Sequence, residues 1–195
     1  MINLGANQGI TTEDLRKDLK ELYEPKLAPK FHLDPGYLAT IVDITPDAHF
    51  IMVLATLVEG IIFETTQKVL VKASPHDEKL YRKIIDRPKA GHWERLEFLE
   101  LIGQLGEREA QGLKALAIIR NKFAHQPKLL CQDLATFYHN ATNDLKNLFQ
   151  NAVADILHSK EPKGFPRTDT FMAVHFREVL LQTTMVAIYT FLEGI

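Results

Sequence analysis

Three side chains near one predicted helix end have the types and spacing for joint chemistry: Arg120, Asn121 and His125, within the string IIRNKFAHQP at residues 118–127. Histidine takes and gives a proton near neutral pH. Arginine stays charged and grips a phosphate through two parallel hydrogen bonds. Asparagine offers a donor and an acceptor, to satisfy terminal carbonyls or to orient the imidazole. Together these groups suit cleavage of RNA by its own 2′-hydroxyl. A base removes the hydroxyl proton, the oxygen attacks phosphorus, and a cation steadies the charge on the pentacoordinate transition state. That chemistry needs no metal and no cofactor.

The spacing sets a condition on such a site. Each residue of an α-helix turns by about 100°, so Asn121 and His125 stack on one face while Arg120 lies about 140° around from His125. Arg120 and His125 meet a common ligand if the last turn loosens, which Pro127 favours. They also meet if a second copy of the helix supplies one of them. A symmetric dimer with this helix at its axis satisfies the second condition.

A purely structural reading stands beside the catalytic one. In it Arg120 pairs with Glu59 and His125 bonds a free carbonyl, fastening a helix end to its neighbours. Glu59 lies in an otherwise apolar stretch, where a bare carboxylate is costly, so its expected role is to partner an arginine. Between residues 107 and 128 five cations stand against two carboxylates, Glu107 and Glu109. Lys122 and Lys128 are the substrate-binding candidates of this patch, able to track a phosphate backbone. The other histidines lack H-E-x-x-H spacing, so no metal is expected, and no G-x-G-x-x-G or P-loop supports nucleotide hydrolysis. Phe137, Tyr138, Phe171 and Phe176 read as core residues, and Cys131 as inert.

The elements that must position these groups read as helices. At 195 residues the chain suits one domain able to bury its own core. Hydrophobic residues make up 46%, charged residues 25%, and the formal charge is −2, so no global basic field draws it to nucleic acid or membrane. Any RNA contact must be local. One cysteine excludes an intrachain disulfide framework and fits a reducing compartment. The start, MINLGANQGITTEDL, lacks signal-peptide character. The most apolar stretch, Phe50 to Phe63, is interrupted by Thr56 and Glu59 and reads as too short to span a bilayer. These features give the expectation of a soluble, cytoplasmic protein.

Thr11 caps a predicted helix over residues 11–24. Five prolines and glycines between residues 25 and 46 predict an irregular connection, so residues 1–45 form a peripheral helix and linker. Thr45 and Pro46 read as N-cap and first residue of a long central helix. Ser74-Pro75 starts another helix, ending near Pro88. A helix from Trp93 stops at Gly103 to Gly106. The motif helix follows, with Leu113, Leu116, Ile119 and Phe123 along one face and Pro127 as its end. DLATFYHNATNDLKNLFQNAVADILH reads as one long amphipathic helix, SKEPKGFP as a loop. A last helix is capped by Thr168 and ended by Gly194. No stretch alternates long enough for a strand. The fold class is all-α, a single-domain bundle of about six or seven helices.

The string Arg120-Asn121-Lys122-Phe123-Ala124-His125 resembles the R-N-x-x-x-H motif of the HEPN superfamily. The longer IIRNKFAH is similar to the form in bacterial branches that include mannitol-operon-repressor-like proteins. The likeness is strongest over residues 50–126. Such a resemblance implies a helical bundle with the motif near a helix end, a homodimer with a composite site, and metal-independent ribonuclease activity of a toxin or antiphage defence effector. Arg120 and His125 would then be the catalytic pair, with Asn121 in support, RNA the substrate, and a cognate antitoxin or regulatory protein a further partner. This chain departs from repressor-like sequences after the histidine, turning at once through Gln126-Pro127 into KLLCQDL. The competing expectation is a non-catalytic transcriptional regulator or protein-interaction module resembling the mannitol operon repressor. A third is an RNA-binding module that has lost activity. No helix-turn-helix stands out for reading DNA.

Overall fold

The computed structural model describes residues 11–73, 92–156 and 174–193. Among these, every regular element is helical, as the lack of alternating stretches predicts. Helix α1 (Thr12–Asp18) begins where expected: the Thr11 hydroxyl accepts from the Asp14 N–H at 3.1 Å. The chain then departs from the predicted linker. A π-turn (Leu19–Tyr23) leads into α2 (Glu24–Phe31), and α3 (Tyr37–Ile41) follows a turn through Gly36. Pro25 sits at the start of α2, where its missing N–H costs little. The π-turn just before it bonds five residues back, Glu24 N–H to Leu19 C=O, and absorbs the misfit a proline brings. Leu15, Leu19, Leu27, Leu38 and Ile41 all join the one main core cluster.

The central helix α4 (Asp47–Ala73) contributes a large share of that cluster, from Ala48 to Ile62. Its first turn starts one residue later than the Thr45 cap predicts, with the Pro46 carbonyl accepting from His49 and Phe50. The estimate of its apolar length from Phe50 to Phe63 also needs correction: over Asp47–Leu70 the helix is long and apolar enough, by composition, to cross a membrane. In the fold it is packed by protein instead, against α5 (His92–Leu101) and α6 (Glu107–His125). Leu54, Val58, Ile61 and Ile62 are all buried.

Helix α5 ends as expected at Gly103, whose φ of 70° suits a residue without a side chain. Leu96 and Leu99 are buried, while Trp93 at the start of the helix is 39% exposed under the Lys114 ammonium. The region after the motif also differs from expectation. A 3₁₀ turn (Pro127–Leu129) precedes α7 (Leu134–His139) and α8 (Asn143–Ile156), two helices where one was predicted. The break falls on Asn140-Ala141-Thr142, and such side chains compete for backbone groups and favour turns. Asp133 caps α7 by accepting from the Thr136 N–H at 2.7 Å, which lowers its carboxyl pKa below the ordinary value. That capping contribution is present above the ordinary aspartate range and is lost as pH falls through the lowered value. Helix α9 (Phe176–Glu193) closes the bundle, and Phe137, Tyr138 and Phe176 lie in the core as predicted. The predicted helix from Ser74-Pro75, the SKEPKGFP loop, Phe171, the Thr168 cap and the Gly194 stop fall outside the described residues.

One staple ties both ends of the chain together. Arg177 on α9 pairs with Asp47, donates to the carbonyls of Val42 and Ile44, and lies 4.1 Å over the Phe50 ring. The second Asp47 oxygen accepts from the Leu134 N–H at 2.8 Å. Both side chains of the pair are about four-fifths buried. Arg177→Met, which keeps the stem, is therefore expected to destabilise the fold by about 2–3 kcal/mol, the loss for a broken buried pair reduced for partial exposure. Urea denaturation monitored by circular dichroism measures it.

Candidate active site at the end of helix α6

Helix α6 is the hub of the bundle, touching α4, α5, α8 and α9. The predicted face of Leu113, Leu116, Ile119 and Phe123 is buried, and Ala110, Gly112 and Ala115 bury a second side. A Cβ at Gly112 would meet the Thr183 methyl at 3.3 Å and the Ala152 methyl at 3.5 Å, so a bare position lets α8 and α9 close in. This tight seat fixes the helix. Near its end one side stays buried through Ile119 and Phe123 while the other faces solvent, and the chemistry-bearing residues lie there.

Arg120 is partly exposed, and Asn121 and His125 are exposed. The Arg120 Nε lies 3.9 Å from Glu59 Oε1, an ion pair beyond direct hydrogen-bond distance. Its Nη1 donates to Asn121 Oδ1 at 3.0 Å. Asn121 thus engages the guanidinium, where the sequence reading gave it the imidazole or the terminal carbonyls. No hydrogen bond from the His125 ring exists among the described residues, so the fastening role has a counterpart for Arg120 only. Lys122 is partly exposed and Lys128 exposed, and neither pairs with a carboxylate among the described residues. Cys131 is exposed.

Helix α6 is a regular α-helix through His125, and the Gln126 N–H still bonds the Lys122 carbonyl at 3.0 Å. Pro127 ends the helix without loosening it. Of the two conditions under which Arg120 and His125 could meet, the first is absent in this structure. Within one chain the two side chains point about 140° apart.

The weak coupling of Arg120 to Glu59 carries a prediction. Both side chains are about a third exposed, so the pair adds little stability, and Glu59→Gln shifts unfolding by less than about 1 kcal/mol. The same change releases Arg120, so on the expectation that RNA is the ligand its affinity should rise about two- to fivefold in a fluorescence titration, by removal of a competing anion. A loss of cleavage beyond tenfold would instead make Glu59 a participant in the reaction.

No family model, curated protein or solved structure matches this chain, so its described geometry stands without a relative to set beside it.

Proposed function

We propose that the chain is a metal-independent endoribonuclease of the HEPN type, working as a homodimer in a toxin or defence role. One observation carries the reading. Helix α6 stays regular to its end with Asn121 and His125 exposed and Arg120 partly so, which supports a reading in which a second copy of the same helix end completes the catalytic pair.

In that composite site His125 of one subunit takes the ribose 2′-hydroxyl proton. The 2′-oxygen forms a bond to phosphorus while the bond to the 5′-oxygen breaks. The imidazolium returns its proton to the departing 5′-oxygen. Arg120 of the other subunit holds the non-bridging oxygens as their charge grows, with its plane braced by Asn121. Lys122 and Lys128 guide the flanking backbone. The products are a 2′,3′-cyclic phosphate and a 5′-hydroxyl, and activity of this kind calls for a cognate inhibitor or regulatory partner.

The experiment is incubation of end-labelled structured and unstructured RNAs with purified protein in excess EDTA. Cleavage that leaves cyclic-phosphate ends, and is lost in Arg120→Ala, supports the enzyme. The Arg120–Glu59 pair favours a second reading, a non-catalytic regulator or interaction module with a structural helix end. Absence of cleavage across all the RNAs selects that reading.

A further inference from the structure

A second arginine stands one helical turn from the candidate site. Arg95 on α5 places its guanidinium carbon 5.0 Å from the centre of the Phe63 ring on α4. This cation–π contact holds one face of the guanidinium. The Arg95 Nε is buried without a hydrogen-bond partner, and no carboxylate pairs with the side chain among the described residues. With no acceptor on its guanidinium among the described residues, Arg95 retains donors for an oxygen-rich ligand.

The position of Phe63 gives this arginine its meaning. Phe63 follows Glu59 by four residues on α4, so the two share a face about 6 Å apart along the axis. Glu59 in turn pairs with Arg120. Two guanidiniums, from α5 and α6, therefore stand over consecutive turns of one edge of α4. Gly60 lies on the exposed side between those turns, and a Cβ built there meets nothing within 4 Å. On these turns of α4 the acidic residues are Glu59, paired with Arg120, and Glu64, paired with Lys68 at 3.7 Å, while Glu94 and Glu97 are exposed on α5 beside Arg95.

We propose that Arg95 binds the phosphate next to the scissile one, so that single-stranded RNA runs along α4 past Gly60 between the two arginines. The inference rests on the ribonuclease reading and extends its substrate site beyond the motif. Arg95 is a binding residue in this scheme and takes no part in the bond-making step.

The test uses the full chain, Arg95→Met and Gly60→Gln. The first removes the cation and keeps the stem. The second places a neutral side chain in the open space beside Gly60, where a Cβ meets nothing within 4 Å. A 2′-O-methyl RNA dodecamer, which lacks the attacking hydroxyl, is titrated by fluorescence anisotropy across salt concentrations. Arg95→Met should weaken binding about tenfold at low salt and reduce the salt slope by about 0.7, one phosphate contact on a single strand. Gly60→Gln should weaken binding with the slope nearly kept. On a dinucleoside monophosphate, which has only the scissile phosphate, Arg95→Met should leave kcat/KM unchanged. An unchanged slope and affinity in Arg95→Met overturns the proposal and leaves the ribonuclease reading intact. Lost dinucleotide cleavage overturns it too, since the residue would then act on folding or catalysis. Wild-type binding with the predicted slope change but no cleavage supports the phosphate contact and overturns the catalytic reading. No RNA binding by wild type overturns both.

Discussion

His125→Ala is expected to reduce RNA cleavage by about 10²- to 10⁴-fold while leaving the fold and its thermal midpoint unchanged. The size is what the loss of a positioned proton acceptor typically costs, the role the proposed mechanism gives this histidine. The separation from stability follows from the structure: the His125 ring is exposed and makes no hydrogen bond among the described residues. A surface change of this kind usually shifts stability by less than about 0.5 kcal/mol. A histidine that served only to fasten the helix end would show the opposite pattern, with stability lost and no activity to lose. The paired measurement is single-turnover cleavage of end-labelled RNA beside a calorimetric scan.

Phe123→Ala should show the reverse signature. Phe123 is fully buried in the last turn of α6, and its ring centre lies 5.1 Å from that of Phe137 on α7. Truncating such a ring removes its transfer free energy and leaves a cavity, typically about 3–5 kcal/mol. That is a large share of the stability of an ordinary domain. Because Phe123 anchors the turn that presents Asn121, Lys122 and His125, cleavage should fall with the folded fraction and further as the helix end frays. Urea denaturation gives the first quantity, and activity per folded molecule the second. Full activity per folded molecule would mean that the site tolerates a loose helix end.

The helix ends that position the site could be read from single residues. Thr11, Gly103 and Pro127 each act within one turn of chain, and each stops or starts a helix where its chemistry demands. The angular relation of Arg120 to His125 was equally legible, since it depends only on helical geometry. Features that depend on distant or compensating contacts were not. Two prolines in α2 signal a linker to any local reading, yet Pro25 stands at the helix start, where no N–H is needed, and the helix continues through Pro29. The Asn140–Thr142 break is hidden by apolar periodicity that continues on either side of it. The Arg177–Asp47 staple spans 130 residues and has no local pattern. Arg95 looks like any surface residue of an amphipathic helix until Phe63 is found beneath it. The Arg120–Glu59 pairing was foreseen because a carboxylate in an apolar helix calls for a partner, whereas the Asn121 contact was not, because neighbours at i and i+1 do not share a helical face.

Subunit mixing tests the composite site most directly. Arg120→Ala and His125→Ala, each inactive alone, are unfolded together, refolded as an equal mixture and assayed on labelled RNA. If one copy supplies the guanidinium and the other the imidazole, half of the dimers carry one intact site of two, and about a quarter of wild-type activity returns. A mixture that sediments as a dimer and stays inactive would contradict a site shared between two chains.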